Sequence, residues 1–210
     1  MMESGGGKQW PEDIADENPI DENGVNRMKI ECLQQKKEID KKEILASFLR
    51  TIVAVARYGR TTIYEGDTYY VPYTIVSYQV EETKEIYRFI TSEVSEDVAV
   101  FRQDEKKVIE MVETEADERY VVEGVRGNEE LLEEVEKKIR LNKKMRKMFQ
   151  KYHFELQEIK TVYLPEQTFY GRGKKDYLFL VDPLLQKVDF KNLSAVEERF
   201  AKNYMQSAAQ

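Results

Sequence analysis

The spacing of apolar side chains switches repeatedly between a period of three to four and a period of two, and this alternation restricts the fold more than any other feature. Ile44, Leu45, Phe48, Leu49, Ile52, Val53 and Ala56 form one stripe of an amphipathic helix. Asp40 and Glu43 ahead of it have the spacing of a capping box, and Gly59 stands where a helix-ending residue with positive φ is wanted. The pattern predicts one helix over 40–58. Beyond it the period falls to two. Segments 61–64, 68–80, 85–91, 97–102, 107–112 and 119–123 read as strands, with Glu65-Gly66-Asp67 as a turn. Connections this short leave no room for crossover helices, so an antiparallel meander is expected.

A second long helix follows Gly127-Asn128, with Leu131, Leu132, Val135, Ile139, Met145, Met148, Phe149 and Tyr152 on its buried face. Strands are expected at 155–164, 168–170, 176–182 and 187–190, and a last helix from about Asn192, with Val196, Phe200 and Tyr204 on one face. Pro72 and Pro165 cannot donate to a ladder, which places them at edges, bulges or strand starts. The fold class is therefore α+β, antiparallel sheet packed against long amphipathic helices.

Two stretches rhyme. Thr68-Tyr69-Tyr70-Val71-Pro72 resembles Thr161-Val162-Tyr163-Leu164-Pro165, and Tyr87-Arg88-Phe89-Ile90 resembles Tyr177-Leu178-Phe179-Leu180. Each set follows a long helix. The expected organisation is an acidic tail over 1–25, a helix-plus-meander module over 26–124 and a related helix-plus-hairpin module over 125–210.

Charge is unevenly placed. The 210 residues carry a formal charge of −7. Seven acids against Lys8 put −6 of it in residues 1–25, where Trp10, Ile14, Ile20 and Val25 are the few sizeable apolar groups. Such a segment buries too little to offset the entropy of ordering it, and disorder is expected there. The acidic total argues against wholesale coating of nucleic acid. No run approaches the ~18 apolar residues of a membrane span, and no secretory leader is evident. A single cysteine, Cys32, fits a reducing compartment, so a cytoplasmic setting is expected.

Catalytic motifs are sparse. One cysteine and one histidine, His153, exclude a His/Cys zinc cluster, and a Cys–His dyad would need Cys32 and His153 to meet. His153 more simply ends the second helix, where a positive charge is favoured. Gly171-Arg172-Gly173-Lys174-Lys175 is basic but leads into a strand rather than a helix N-terminus, so it reads as a hairpin loop needing positive φ. Glu158 and Lys160 share a strand face, a spacing that suits a metal-dependent hydrolase if Asp67, Asp104 or Asp117 joins them. The segment from Lys137 to Lys151 holds eight Lys/Arg and no acid. Lys143, Lys144, Arg146 and Lys147 there, with Arg172 and Lys174, are the candidate phosphate contacts. The leading expectation is a non-enzymatic interaction or assembly module that meets another protein through Tyr69, Tyr70, Tyr73 and Tyr78, since tyrosine is enriched at interfaces. No cofactor is expected, and the oligomeric state is left open. The alternatives are nucleic-acid binding through the basic helix and hydrolysis around Glu158 and Lys160.

Overall fold

A computed structural model describes residues 26–37, 39–101, 109–173 and 175–208. The expectations for the acidic tail, Asp104 and Lys174 lie outside these. The described chain is α+β, with five helices and eight strands in the order β1 (Arg27–Gln35), α1 (Lys41–Leu49), α2 (Ile52–Tyr58), β2 (Thr62–Val80), β3 (Ile86–Ser92), β4 (Val98–Phe101), β5 (Ile109–Asp117), α3 (Asn128–Leu141), α4 (Lys143–Lys151), β6 (Phe154–Arg172), β7 (Asp176–Asp182), β8 (Lys187–Val188) and α5 (Leu193–Ala208).

All eight strands belong to one mixed sheet. Its order is β4-β3-β2-β6-β1-β5, with β7 added to β6 and β8 to β7. The axis of the sheet is the antiparallel pair of 19-residue strands β2 and β6, paired from Thr62 opposite Arg172 to Val80 opposite Phe154 with register shifts between Glu65 and Thr68 and between Ser77 and Tyr78. Val71 faces Leu164 at the centre, so Tyr70 meets Pro165 and Pro72 meets Tyr163. The two rhyming segments are thus each other's partners. The order β1-α1-α2-β2-β3-β4 recurs as β5-α3-α4-β6-β7-β8. Pairings recur with it: β3 lies on the second half of β2 and β7 on the second half of β6. Cys32 of β1 meets Tyr163 in parallel, and Val121 after β5 meets Tyr70 in parallel.

Several local expectations are corrected. Of the strands expected to form the first meander only β2-β3-β4 do so, because β5 returns to β1 along nine register positions and β1 joins β6 in parallel. Glu65-Gly66-Asp67 is a bulge inside β2, not a turn. Gln167 donates to the Gly66 carbonyl at 2.6 Å and Thr168 to the Asp67 carbonyl at 2.7 Å, so the partner strand satisfies the displaced backbone. A Cβ at Gly66 would lie 2.5 Å from Thr168 Oγ1, which explains the glycine. Segment 119–123 is a 3-10 turn, Glu118–Tyr120, and not a strand. Pro72 and Pro165 lie in the middle of the two longest strands. Each stands one or two residues before its strand gains a further neighbour, β3 at Tyr73 and β7 at Gln167, a junction where a missing donor costs the ladder least.

Both long helices are broken. Asp40 caps α1 by accepting from the Lys42 and Glu43 amides, and Gly59 ends α2 at φ 63° as expected. Between them Thr51 turns extended and its hydroxyl accepts from the Ala54 amide, which starts a new helix in a new direction. The stripe does not continue across that break: Leu45, Ala54 and Tyr58 are buried, whereas Ile52 and Val53 are 88% and 75% exposed. Asn142 breaks the second helix in the same way, its side chain accepting from the Lys144 and Met145 amides.

Each helix pair covers a phenylalanine of a hairpin. Leu45, Ala54 and Tyr58 pack with Phe169, Phe179 and Val181, while Val135, Ile139 and Met145 pack with Val76 and Phe89. Phe89, Ile90, Phe179 and Leu180 are all buried, as their matched positions suggest. Burying each phenylalanine contributes about 1.5–3 kcal/mol. Between the two helix-covered regions lies a third cluster, Tyr73, Ile75, Leu164, Leu180 and Val196 among others, to which both halves contribute.

Candidate functional site

A group of polar side chains adjoins that shared cluster. Glu166 comes from β6, Asp182 ends β7, and Asp189 and Asn192 lie between β8 and α5; all four are buried. Local chain chemistry explains two of the placements. Pro183 has no amide, and past it the Leu184 and Leu185 amides donate to Asp182 Oδ1 at 2.7 and 2.9 Å. Gln186 closes this turn at φ 51°. Asp189 then uses Oδ1 to accept from the Lys191 and Asn192 amides at 2.7 and 3.3 Å, which turns the chain into α5.

Asn192 ties the group together. Its Nδ2 lies 2.6 Å from Tyr73 Oη, 3.0 Å from Glu166 Oε1 and 3.1 Å from Asp189 Oδ2, three acceptors for two hydrogens. Its Oδ1 accepts from Ser92 and Ser95. Tyr73, Ser92 and Ser95 belong to the first half of the chain, so the network spans both. Lys187 reaches Asp97 at 3.1 Å and Asp189 at 3.9 Å, and Lys191 reaches Asp97 at 2.7 Å.

The carboxylates are not all balanced. Glu166 Oε2 and Asp182 Oδ2 are buried without a hydrogen-bond partner. Burial, reinforced by the Asp182 and Asp189 charges, holds the Glu166 carboxyl well above its usual range. Burial likewise raises Asp182, to about 6, against the lowering effect of its backbone hydrogen bonds and Lys187. Tyr73 is pushed up by burial and by the same acids. Burial also opposes ionisation of Asp97, yet Lys191 and Lys187 outweigh it and its carboxyl sits below the usual value.

The expected site residues fall elsewhere. Tyr69 and Tyr73 are buried in the core, while Tyr70 and Tyr78 are half-buried, so of the four only the latter two retain surface. Lys143, Lys144, Arg146 and Lys147 are exposed on α4 and make no ion pair among the described residues. Arg172 is exposed with its guanidinium 5.9 Å from the centre of the Tyr64 ring. Its neighbour Gly171 is present for space rather than positive φ, since a Cβ there would lie 2.7 Å from Phe179 and Thr61. Lys160 pairs with Glu31 at 2.7 Å, and Glu158 joins no group of three acids suited to a metal among the described residues. Cys32 is buried opposite Tyr163 of β6, and exposed His153 stands beside Glu82 just before β6 begins, ten residues before Tyr163 and about 33 Å away at strand rise. They form no dyad.

Two open apolar surfaces were not expected. A groove of about 550 Å3 lies between β2, the β6–β7 hairpin and α5, lined by Tyr64, Tyr170, Tyr177, Leu178 and Phe200 together with the charged Arg172, Asp176 and Glu197. Tyr64 and Phe200 are 52% and 39% exposed. Tyr177 also packs edge-on against Tyr58 at 4.7 Å and donates to the Arg57 carbonyl, which connects the groove to α2 and its exposed Ile52, Val53 and Val55.

Sequence reasoning overlooked Glu166, Asp182 and Asp189. The available signal was an acid ending an apolar run, Leu178-Phe179-Leu180-Val181-Asp182, and another following Pro165 inside a β-prone stretch. Comparison of the chain with protein-family models, with curated proteins and with solved structures finds no match.

Proposed function

We propose that this chain is a non-enzymatic protein-interaction module that docks an apolar anchor of a partner protein in the aromatic groove beside α5. The supporting observation is the groove itself: aromatic side chains from β2, β6, β7 and α5 line one open cavity whose size suits a single large side chain and its neighbours. Tyrosine contributes rigid, amphipathic contact area at low entropic cost, and Tyr64, Tyr170 and Tyr177 supply it here. Arg172 adds a fork of donors for a carboxylate. The partner segment in this reading is an aromatic or long aliphatic residue next to an Asp or Glu that reaches Arg172 clear of Asp176 and Glu197.

A displayed random-peptide library tests this reading. Selection on the full chain should enrich sequences with that anchor-plus-acid pattern, and Tyr64→Ser with Phe200→Ser should abolish the enrichment. No enriched pattern, or one that survives both substitutions, contradicts it. A second reading rests on the four unpaired cations of α4, which would contact phosphate. It gains if labelled DNA or RNA binds the groove variant as well as the original chain, with an affinity that falls steeply with salt and is lost on K143E/K144E.

A further inference from the structure

We infer that Glu166, Asp182 and Asp189 form a binding site for a hard divalent cation, of the size of Ca2+ or Mn2+, where the β7–β8 turn meets α5. The inference is independent of the aromatic groove. One carboxylate oxygen from each of the three buried residues lies within 4.8 Å of the others. A cation bound at about 2.4 Å holds oxygens on opposite sides about 4.8 Å apart, so the three can close on one ion with little movement.

A cluster of acids alone would carry no such conclusion. The second observation is that two of its oxygens, Glu166 Oε2 and Asp182 Oδ2, are buried with no hydrogen-bond partner. Buried polar atoms are nearly always satisfied, and an orphan carboxylate oxygen is among the costliest exceptions. The remaining oxygens are already committed. Asp182 Oδ1 holds two backbone amides, Asp189 Oδ1 holds two more, and Glu166 Oε1 meets Asn192 and Tyr73. These contacts hold the Glu166 and Asp182 carboxylates in place, the role that outer hydrogen bonds play around metal ligands, while Asp189 Oδ2 accepts from Asn192 at 3.1 Å and lies 3.9 Å from Lys187.

Charge gives the valence. Lys187 is shared between Asp97 and Asp189, and no cationic side chain bonds to Glu166 or Asp182 among the described residues. The two carboxylates left over match a divalent ion. The donor set is all oxygen, which favours hard cations over zinc or copper.

The test uses the full chain, freed of metal with a chelator and then titrated with CaCl2, MnCl2 and MgCl2 at neutral pH. Thermal unfolding should rise by about 5 °C or more once the cation reaches 100 times its dissociation constant, and calorimetry should give one site per chain. D182N and E166Q should remove the shift. These variants keep the acidic residues 1–25, so loose binding there would persist in them. Should either variant fail to fold, the wild-type chain still decides: Tb3+ luminescence excited through Tyr73 should appear at one equivalent and be displaced by Ca2+. A melting temperature indifferent to all three cations at millimolar concentration overturns the inference. So does a shift of equal size in D182N, and an absence of sensitised Tb3+ emission.

Discussion

Asp182 shows how one side chain couples folding to solution conditions. Its carboxyl is raised to about 6 from an ordinary value of 3.8, chiefly by burial. A raised carboxyl means that the folded state holds the proton more tightly than the unfolded chain. Stability from this group is therefore greatest below about pH 4, falls as pH rises toward 6, and is level above that. With a chelator present the loss should be on the order of 2–3 kcal/mol between pH 4 and pH 7. Glu166 acts in the same direction. Urea denaturation across that range should show D182N with a weaker dependence of this sign than the original chain. Equal slopes in both would mean that Asp182 is not held in a proton-favouring site. Nothing in the local sequence announces this behaviour, since an aspartate before proline reads as a turn residue. Its environment is created by burial in the folded chain, with the Asp189 charge, seven positions away, acting in the same direction.

Helices and strands were legible to differing degrees, and the reasons are local. The capping residue Asp40 and the terminating Gly59 act through their immediate neighbours, so both ends of the α1–α2 region could be read from spacing. The break at Thr51 could not, because threonine is an ordinary helix residue unless its hydroxyl captures an amide ahead of it. Strand interruption failed in the opposite sense. Gly66 looked like a turn but is absorbed as a bulge because Gln167 and Thr168, a hundred positions away, satisfy its surroundings. The break at Thr51 carries a prediction. One continuous helix would bury Ile52 and Val53, so replacing both with serine would cost several kcal/mol. In the observed geometry both face outward, and I52S with V53S should change unfolding stability by less than about 0.5 kcal/mol each. A loss above about 2 kcal/mol in urea titration would show that these side chains are packed.

At the scale of the molecule, the rhyme between 68–72 and 161–165 acquires a physical meaning that sequence alone did not supply. The two segments pair with one another at the centre of the sheet, and the halves around them repeat one element order. Which strands neighbour which was illegible for the same reason, since β1–β5 and β2–β6 join residues 74 or more positions apart. That pairing also explains why the polar network draws Tyr73, Ser92 and Ser95 from one half and Glu166, Asp182, Asp189 and Asn192 from the other. A network built jointly by both halves requires that they unfold as one cooperative body. Native-state hydrogen exchange reads this through the amides of Val76 and Phe89 in the first half and Val162 and Phe179 in the second. All four should exchange with the same free energy and the same denaturant dependence, equal to those of global unfolding. Exchange of Val76 and Phe89 at a clearly lower free energy than Val162 and Phe179, or the reverse, would mean that one half opens without the other and would contradict that requirement.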